Sequence, residues 1–77
     1  MLDQTHSYRF RLQLSSHEIT RYYQGSARDI SVRAENGQQL RFAARHLRPF
    51  LTSSGIQGRF LLMTDKNNQF QSLTKIS

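Results

Sequence analysis

Strict alternation of apolar and polar side chains is the feature that most constrains the fold of this chain. The first alternating segment contains four apolar residues at every second position: Tyr8, Phe10, Leu12 and Leu14. Successive side chains of a strand point to opposite faces of a sheet, so this pattern predicts a strand with one buried and one solvated face. Similar patterns around residues 30–34, 40–42 and 56–62 predict a fold built mainly of half-buried strands.

A short helix is predicted directly after the first strand. Ser15 and Glu18 have the spacing of a capping box, in which each side chain accepts a hydrogen bond from the backbone N–H of the other. Apolar residues follow at helical spacing: Ile19, Tyr22 and Tyr23. Gly25 is well suited to the position just beyond the end of a helix. This helix is too short to be stable alone, so we expect it to pack on the sheet.

The loop between the next two strands determines which side chains face the core. A two-residue loop at Asn36 and Gly37 would put the apolar sets of the two strands on opposite faces. A three-residue loop, which adds Glu35, pairs Val32 with Leu40 and buries both sets together. It also gives Gly37 the left-handed position of a type I turn with a G1 bulge. We therefore predict the three-residue loop.

The second half of the chain is predicted to begin with one helical turn over residues 43–48. Proline disfavours helical backbone in the residue before it, so Pro49 is expected to end this turn. Phe50 and Leu51 are expected to anchor the turn in the core. The five phenylalanines all fall at positions expected to be buried.

Two further strands complete the predicted fold. The strand over residues 56–63 is apolar on both faces because Leu61 and Met63 alternate with its inward residues, which indicates a central or doubly covered strand. Phe70 and Leu73 lie three residues apart in the last strand, and a β-bulge between them would put both on one face. We interpret the two glycines that flank the start of the earlier strand, Gly55 and Gly58, as turn and close-packing residues.

These elements predict an α+β fold of about five mostly antiparallel strands with one short helix after the first strand. The predicted order is strand, helix, strand, strand, helical turn, strand, strand. Residues 7–77 are expected to form a single small domain, and residues 1–6 a disordered N-terminal tail. The sequence leaves open whether the strands close into a partly closed small barrel.

Several classes of function are unfavourable for this sequence. A chain of 77 residues buries only about 60% of its unfolded surface, which leaves little support for a deep pocket. The absence of cysteine excludes disulfides, thiolate catalysis and cysteine zinc sites. His6, His17 and His46 are isolated and are interpreted as surface residues, and the five acidic residues are scattered. We therefore expect no metal, no cofactor and no enzymatic activity.

The longest apolar run has four residues, from Phe60 to Met63, whereas a membrane span needs about 20. The first six residues have neither the basic nor the apolar region of a secretory signal. We therefore expect no membrane association and a cytoplasmic location.

Arginine is the residue type that points to a partner. The formal net charge is +6, and nine arginines stand against two lysines. The guanidinium group can form two hydrogen bonds to one phosphate and can stack on bases. The arginines therefore predict a face that binds a polyanion, RNA or DNA. The candidate residues are Arg9, Arg11, Arg33, Arg41, Arg45, Arg48 and Arg59. The competing interpretation is a solvated surface partly neutralised by Glu18, Asp29 and Glu35.

A second hypothesis is a protein-interaction module or homodimer. One short helix does not cover both sides of a five-stranded sheet, so Leu61 and Met63 would belong to an exposed apolar patch. Such patches mark interfaces.

Four segments of the chain resemble a known family: residues 22–27, 32–37, 47–52 and 55–60. Leu47-Arg48-Pro49-Phe50 followed by Gly55-Ile56-Gln57-Gly58-Arg59-Phe60 is the most specific part. The sequence resembles a bacterial family of small uncharacterised proteins, domain of unknown function 2835, over about residues 7–76. The resemblance implies a bacterial source and a small size, but no activity, cofactor or functional residue.

Overall fold

The computed structural model describes residues 5–23 and 29–77. The predicted helix-ending Gly25 lies outside them. The elements are β1 (His6–Leu14), α1 (Ser16–Tyr23), β2 (Asp29–Arg33), β3 (Gln39–Ala43), a 3-10 helix (Ala44–Phe50), β4 (Ile56–Thr64) and β5 (Phe70–Lys75). Their order confirms the predicted α+β arrangement. β1 begins at His6, one residue before the predicted domain boundary at residue 7.

The five strands lie in two sheets rather than one. β1, β4 and β5 form an antiparallel three-stranded sheet with β4 in the centre, and β2 and β3 form a separate antiparallel hairpin. Of the two alternatives predicted for β4, a central or a doubly covered strand, the structure shows the central one. Within residues 5–23 and 29–77 the sheets are not closed into a barrel, so the suggestion of a partly closed barrel is not confirmed.

The hairpin has the predicted register. Val32 is opposite Leu40, and Ile30 is opposite Phe42. The backbone N–H of Ala34 donates to the carbonyl of Gln38 at 2.8 Å, which closes the predicted three-residue loop. Gly37 has a φ of 93°, in the left-handed region that such a turn requires.

The start of α1 is the predicted capping box. The Ser15 N–H donates to Glu18 Oε1 at 2.9 Å, and the Glu18 N–H donates to Ser15 Oγ at 3.1 Å. These two bonds satisfy backbone donors that the first turn of a helix leaves without intrahelical partners. Ile19 is buried and attaches the helix to the core.

β5 contains the predicted bulge. Phe70 is opposite Thr64 and Ser72 is opposite Met63, so Gln71 has no partner on β4. The extra residue lets both Phe70 and Leu73 pack against the core. The turn before β5 is built on Asp65, whose carboxylate accepts hydrogen bonds from the backbone N–H groups of residues 67 and 69.

The core lies between the inner faces of the two sheets and is closed by α1 and the 3-10 helix. Among the residues whose burial the structure describes, the fully buried side chains are Phe10, Leu47, Ile56 and Phe60. The ring of Phe10 lies 5.8 Å from that of Phe42 on the hairpin and 5.6 Å from that of Phe60 on β4. Aromatic contacts therefore join the two sheets.

The connection between the sheets differs from the prediction in two ways. Pro49 does not end the helical turn, because the 3-10 helix continues through it to Phe50. The fixed φ of proline is compatible with 3-10 geometry, and the Leu51 N–H donates to the Arg48 carbonyl to close the last turn. Phe50 packs edge-on against Phe60 as expected. Leu51, however, is 41% exposed and does not anchor the connection.

Two glycines are needed for close packing, as predicted. Gly55 has a φ of 107°, and a Cβ there would overlap the carbonyl oxygen of Leu14 and lie 2.7 Å from the Ser15 carbonyl carbon. Gly58 has a φ of 152°, and a Cβ there would lie 2.8 Å from the backbone carbonyl oxygen of Ser77. Because Gly55 has no side chain, the start of β4 can pack directly against the turn between β1 and α1.

Candidate functional site

The solvent side of the three-stranded sheet is the surface on which the largest number of predicted site residues meet, with three arginines against two on the hairpin and two on the 3-10 helix. We call it the outer face. It consists of the positions that alternate with the core residues: Ser7, Arg9, Arg11, Gln13, Gln57, Arg59, Leu61, Met63, Ser72 and Thr74. None of these residues is acidic.

The structure brings three of the seven predicted arginines together on this face. Arg11 of β1 is directly opposite Arg59 of β4, and Arg9 is two residues along β1, opposite Leu61. Neighbouring strands are about 4.8 Å apart, and residues two apart on a strand are separated by about 7 Å. The three guanidinium groups therefore project from one small area of the sheet.

The other predicted arginines lie elsewhere. Arg33 and Arg41 are on the solvent side of the hairpin, and Arg45 and Arg48 are on the 3-10 helix. We call the exposed residues of the hairpin strands, Asp29, Ser31, Arg33, Gln39 and Arg41, the hairpin face. The predicted arginines are thus distributed over three parts of the fold.

A carboxylate from the hairpin loop reaches the outer face. Glu35 Oε2 accepts a hydrogen bond from Arg59 Nε at 2.6 Å, and its Oε1 accepts one from Arg59 Nη2 at 2.7 Å. The Glu35 N–H also donates to the Arg9 carbonyl at 2.7 Å, which places the end of the hairpin against the edge strand β1. The Glu35–Arg59 pair therefore joins the two sheets on their solvent side.

The electrostatics of this group follow from that geometry. The hydrogen bonds from Arg59 are the largest influence on the pKa of Glu35 and lower it below the ordinary value of 4.5. Partial burial opposes this shift, and the positive charges of Arg59, Arg11 and Arg9 add to it. The same hydrogen bonds raise the pKa of Arg59. Glu35 is therefore ionised at neutral pH and faces an excess of positive charge.

Arg9 and Arg11 are less constrained than Arg59. Their side chains make neither an ion pair nor a hydrogen bond with the part of the chain that the structure describes. Arg11 and Arg59 also face each other across two strands, and like charges in that position reduce stability. The contact with Glu35 offsets this repulsion for Arg59, but no ion pair within the described residues offsets it for Arg11.

The arginines of the hairpin face have weaker contacts. Arg41 Nε lies 3.5 Å from Asp29 Oδ2, and the two side chains are 74% and 48% exposed. Arg33 Nη1 donates to the Gly37 carbonyl at 3.3 Å, within its own turn. These contacts leave both guanidinium groups largely in water.

The outer face also has an apolar part and a shallow groove. Leu61 and Met63 are only half-buried although they lie on the central strand. An open groove of about 320 Å³ crosses the sheet between two rows of side chains, with Arg11 and Arg59 on one side and Gln13 and Gln57 on the other. Cationic, amide and apolar groups are thus adjacent on one surface.

His46 differs from its predicted surface position. Its ring stacks on Phe70 with the ring centroids 3.6 Å apart and the planes 6° from parallel. Burial, and to a smaller extent the charge of Arg45, lowers the pKa of His46 below 6.5. The two residues are 24 positions apart in the chain, and no local pattern signals their contact.

Among residues 5–23 and 29–77, no group of three or more histidine, aspartate or glutamate side chains is arranged to hold a metal ion. No helix in the same ranges is long and apolar enough to cross a membrane.

The fold and this surface define a small α+β domain with a basic sheet face. The chain belongs to the family described as protein of unknown function (DUF2835), whose sequence profile matches residues 6–76. No curated protein and no solved structure matches the chain significantly.

Proposed function

We propose that this protein is a non-enzymatic module that binds a polyanion, RNA or DNA, through the outer face. The observation that carries this proposal is the convergence of Arg9, Arg11 and Arg59 on a sheet face with no acidic residue of its own. Phosphate contacts from such a face supply affinity for nucleic acid without sequence readout. This proposal is consistent with a cytoplasmic location.

The shape of the face supports a polymer rather than a small molecule. The groove between the arginine row and the glutamine row is open and shallow, and small-molecule sites enclose most of their ligand. Gln13 and Gln57 can donate hydrogen bonds to a chain lying across the strands, and Leu61 and Met63 offer apolar contact. An extended single strand would touch all three kinds of group.

The unpaired state of two arginines further supports phosphate binding. Arg9 and Arg11 interact with Glu35 only through their charge and make no direct ion pair within the described chain, so binding a phosphate breaks no ion pair of theirs. Arg41, in contrast, has Asp29 at 3.5 Å. We therefore expect the outer face to contribute more to binding than the hairpin face.

The test is binding of labelled single- and double-stranded oligonucleotides over a salt series, measured by fluorescence anisotropy. The charge-matched double variants are Arg9→Ala with Arg11→Ala, and Arg33→Ala with Arg41→Ala. Losing two phosphate contacts should flatten the slope of log K against log salt concentration by about 1.4 for single strands in the first variant. The second variant should change the slope less. Absence of wild-type binding at low salt, or equal losses in both variants, would refute the proposal.

A second candidate function is self-association through the outer face. It is favoured by Leu61 and Met63, which are not fully buried although they lie at the centre of the sheet. Salt weakens phosphate contacts but leaves or strengthens apolar ones, so sedimentation at low and high salt distinguishes the two functions. A dimer that persists at high salt and is lost in Leu61→Thr supports self-association, whereas a monomer at both salt concentrations excludes it.

A further inference from the structure

We propose that the Glu35 carboxylate occupies a phosphate site on the outer face, and that a nucleic-acid phosphate displaces it from Arg59. This inference rests on the proposed function and assigns a particular site within that face. The site consists of Arg59, Arg9 and Arg11, with Glu35 as a competitor supplied by the chain itself.

The Arg59–Glu35 contact has the geometry of an anion site. Two nitrogens of the guanidinium fork hold the two carboxylate oxygens at 2.6 and 2.7 Å. The same planar fork binds two oxygens of a phosphate in this way. The carboxylate oxygens of Glu35 therefore mark where phosphate oxygens would lie.

The surroundings of the site contain more positive charge than one carboxylate neutralises. Arg9 and Arg11 both act on Glu35 electrostatically, and neither has an anionic partner of its own in the described chain. A phosphodiester that binds Arg59 replaces the negative charge of the carboxylate with its own. The Glu35 side chain can then turn toward solvent. A nucleic-acid chain places further phosphates beside the first, within reach of the second and third arginine.

The competitor is displaceable. The side chains of Arg59 and Glu35 are 35% and 39% exposed, and ion pairs at such positions add little to stability. The backbone bonds that hold the hairpin end, from Glu35 N–H to the Arg9 carbonyl and from Ala34 N–H to the Gln38 carbonyl, do not use the carboxylate. Rotation of the Glu35 side chain therefore opens the site without moving the hairpin.

The first experiment compares Glu35→Gln with Asp29→Asn. Both variants remove one negative charge, but Asp29 lies on the hairpin strand β2 and does not contact Arg59. The probe is a fluorescein-labelled oligothymidylate. Removing the competing charge should tighten binding about fivefold at low salt, the effect of one unit charge near contact distance in water. The salt slope should stay close to that of the wild type, because Arg59 contacts a phosphate in both proteins. Asp29→Asn should tighten binding less.

The second experiment uses the unaltered protein, so it does not depend on how a variant folds. Titration with oligothymidylate should shift the NMR signal of the Arg59 Nε–H and leave that of the Arg41 Nε–H in place. A site filled by phosphate predicts both this shift and the tighter binding of Glu35→Gln.

The two proposals fail in different ways. If the wild type binds, but Glu35→Gln binds no more tightly than Asp29→Asn or the Arg59 signal stays in place at saturation, this site is refuted and the proposed function stands. If neither the wild type nor Glu35→Gln binds at low salt, the proposed function fails and this inference fails with it.

Discussion

The outer face and the hairpin face arise from the same sequence pattern but present arginine differently. On both sheets, arginines alternate with buried apolar residues and so point to solvent. On the outer face, Arg59 is held by a two-point contact, with Arg9 and Arg11 beside it. On the hairpin face, the contacts of Arg33 and Arg41 are single and long, at 3.3 and 3.5 Å.

The difference comes from the neighbours of each sheet. The arginines of the outer face lie on two adjacent strands, β1 and β4, just as those of the hairpin face lie on β2 and β3, but only the outer face receives a carboxylate from a distant segment, Glu35. The three-stranded sheet is also closely fitted to other backbone segments, at Gly55 and at the Glu35 N–H. Alternation alone exposes an arginine, and contacts between distant segments determine whether several of them form a site.

The largest expected effect compares the turn glycines of the two sheets. A side chain at Gly55 would overlap the Leu14 carbonyl, whereas a side chain at Gly37 would meet nothing within 4 Å. Both glycines have positive φ, which costs other residues about 1–2 kcal/mol. Gly37→Ala should therefore lower the free energy of unfolding by about 1 kcal/mol. Gly55→Ala should lower it by about 3 kcal/mol or more, because overpacking is added.

Urea unfolding followed by circular dichroism measures both changes. An equal decrease in the free energy of unfolding in Gly55→Ala and Gly37→Ala would show that the start of β4 can move away from the turn between β1 and α1. The proposed difference between a closely fitted sheet and an open hairpin would then be wrong.

Local patterns predicted much of this fold. The capping box at Ser15 and Glu18 depends only on residues three apart, and the hairpin register follows from burying both apolar sets on one face. The bulge opposite Met63 follows from the three-residue spacing of Phe70 and Leu73. In each case, the information lies within one segment or one pair of adjacent segments.

The division into two sheets could not be predicted in this way. Alternation tells which face of a strand is buried, but it does not identify the neighbouring strand. The candidate site could not be predicted from local patterns either. Glu35 and Arg59 are 24 residues apart and meet only because the hairpin end lies against β1. The alternation predicted that Arg9 and Arg11 face solvent, whereas the pairing of β1 with β4, which brings Arg59 beside them, is seen only in the structure.

A second prediction compares buried positions on the two sheets. Thr64 on the inner side of β4 is 5% exposed, and its hydroxyl has no hydrogen-bond partner within residues 5–23 and 29–77. Thr64→Val should raise the free energy of unfolding by about 1 kcal/mol, since it removes a buried unpaired hydroxyl and conserves the shape of the side chain. Val32→Thr in the hairpin introduces a hydroxyl into the core and should lower stability by about 1 to 3 kcal/mol. Thermal unfolding measures both, and a loss of stability in Thr64→Val would contradict this account.

A third prediction concerns the ion pair that joins the sheets. Arg59 lowers the pKa of Glu35 in the folded protein, so the unfolded state binds more protons in acid. The stability from this pair is therefore fully present above pH 4.5 and is lost as the pH falls through the lower pKa of the folded state. Glu35→Gln and Arg59→Gln should both reduce the acid-dependent loss, measured by urea unfolding at several pH values. Unchanged acid dependence in both variants would show that the pair does not stabilise the junction of the sheets.

The smallest expected effect tests how the connection between the sheets is attached to β5. Burial lowers the pKa of His46, so protonation is easier in the unfolded state, and stability should decrease as the pH falls through 6.5. His46→Phe keeps an aromatic ring against Phe70 and cannot be protonated, so its Tm should stay level over this range. His17→Gln, at the exposed start of α1, is the control and should keep the decrease because His46 is still present. If His46→Phe keeps the wild-type decrease, the ring of His46 is not buried against β5 in solution, and the 3-10 helix moves independently of the three-stranded sheet.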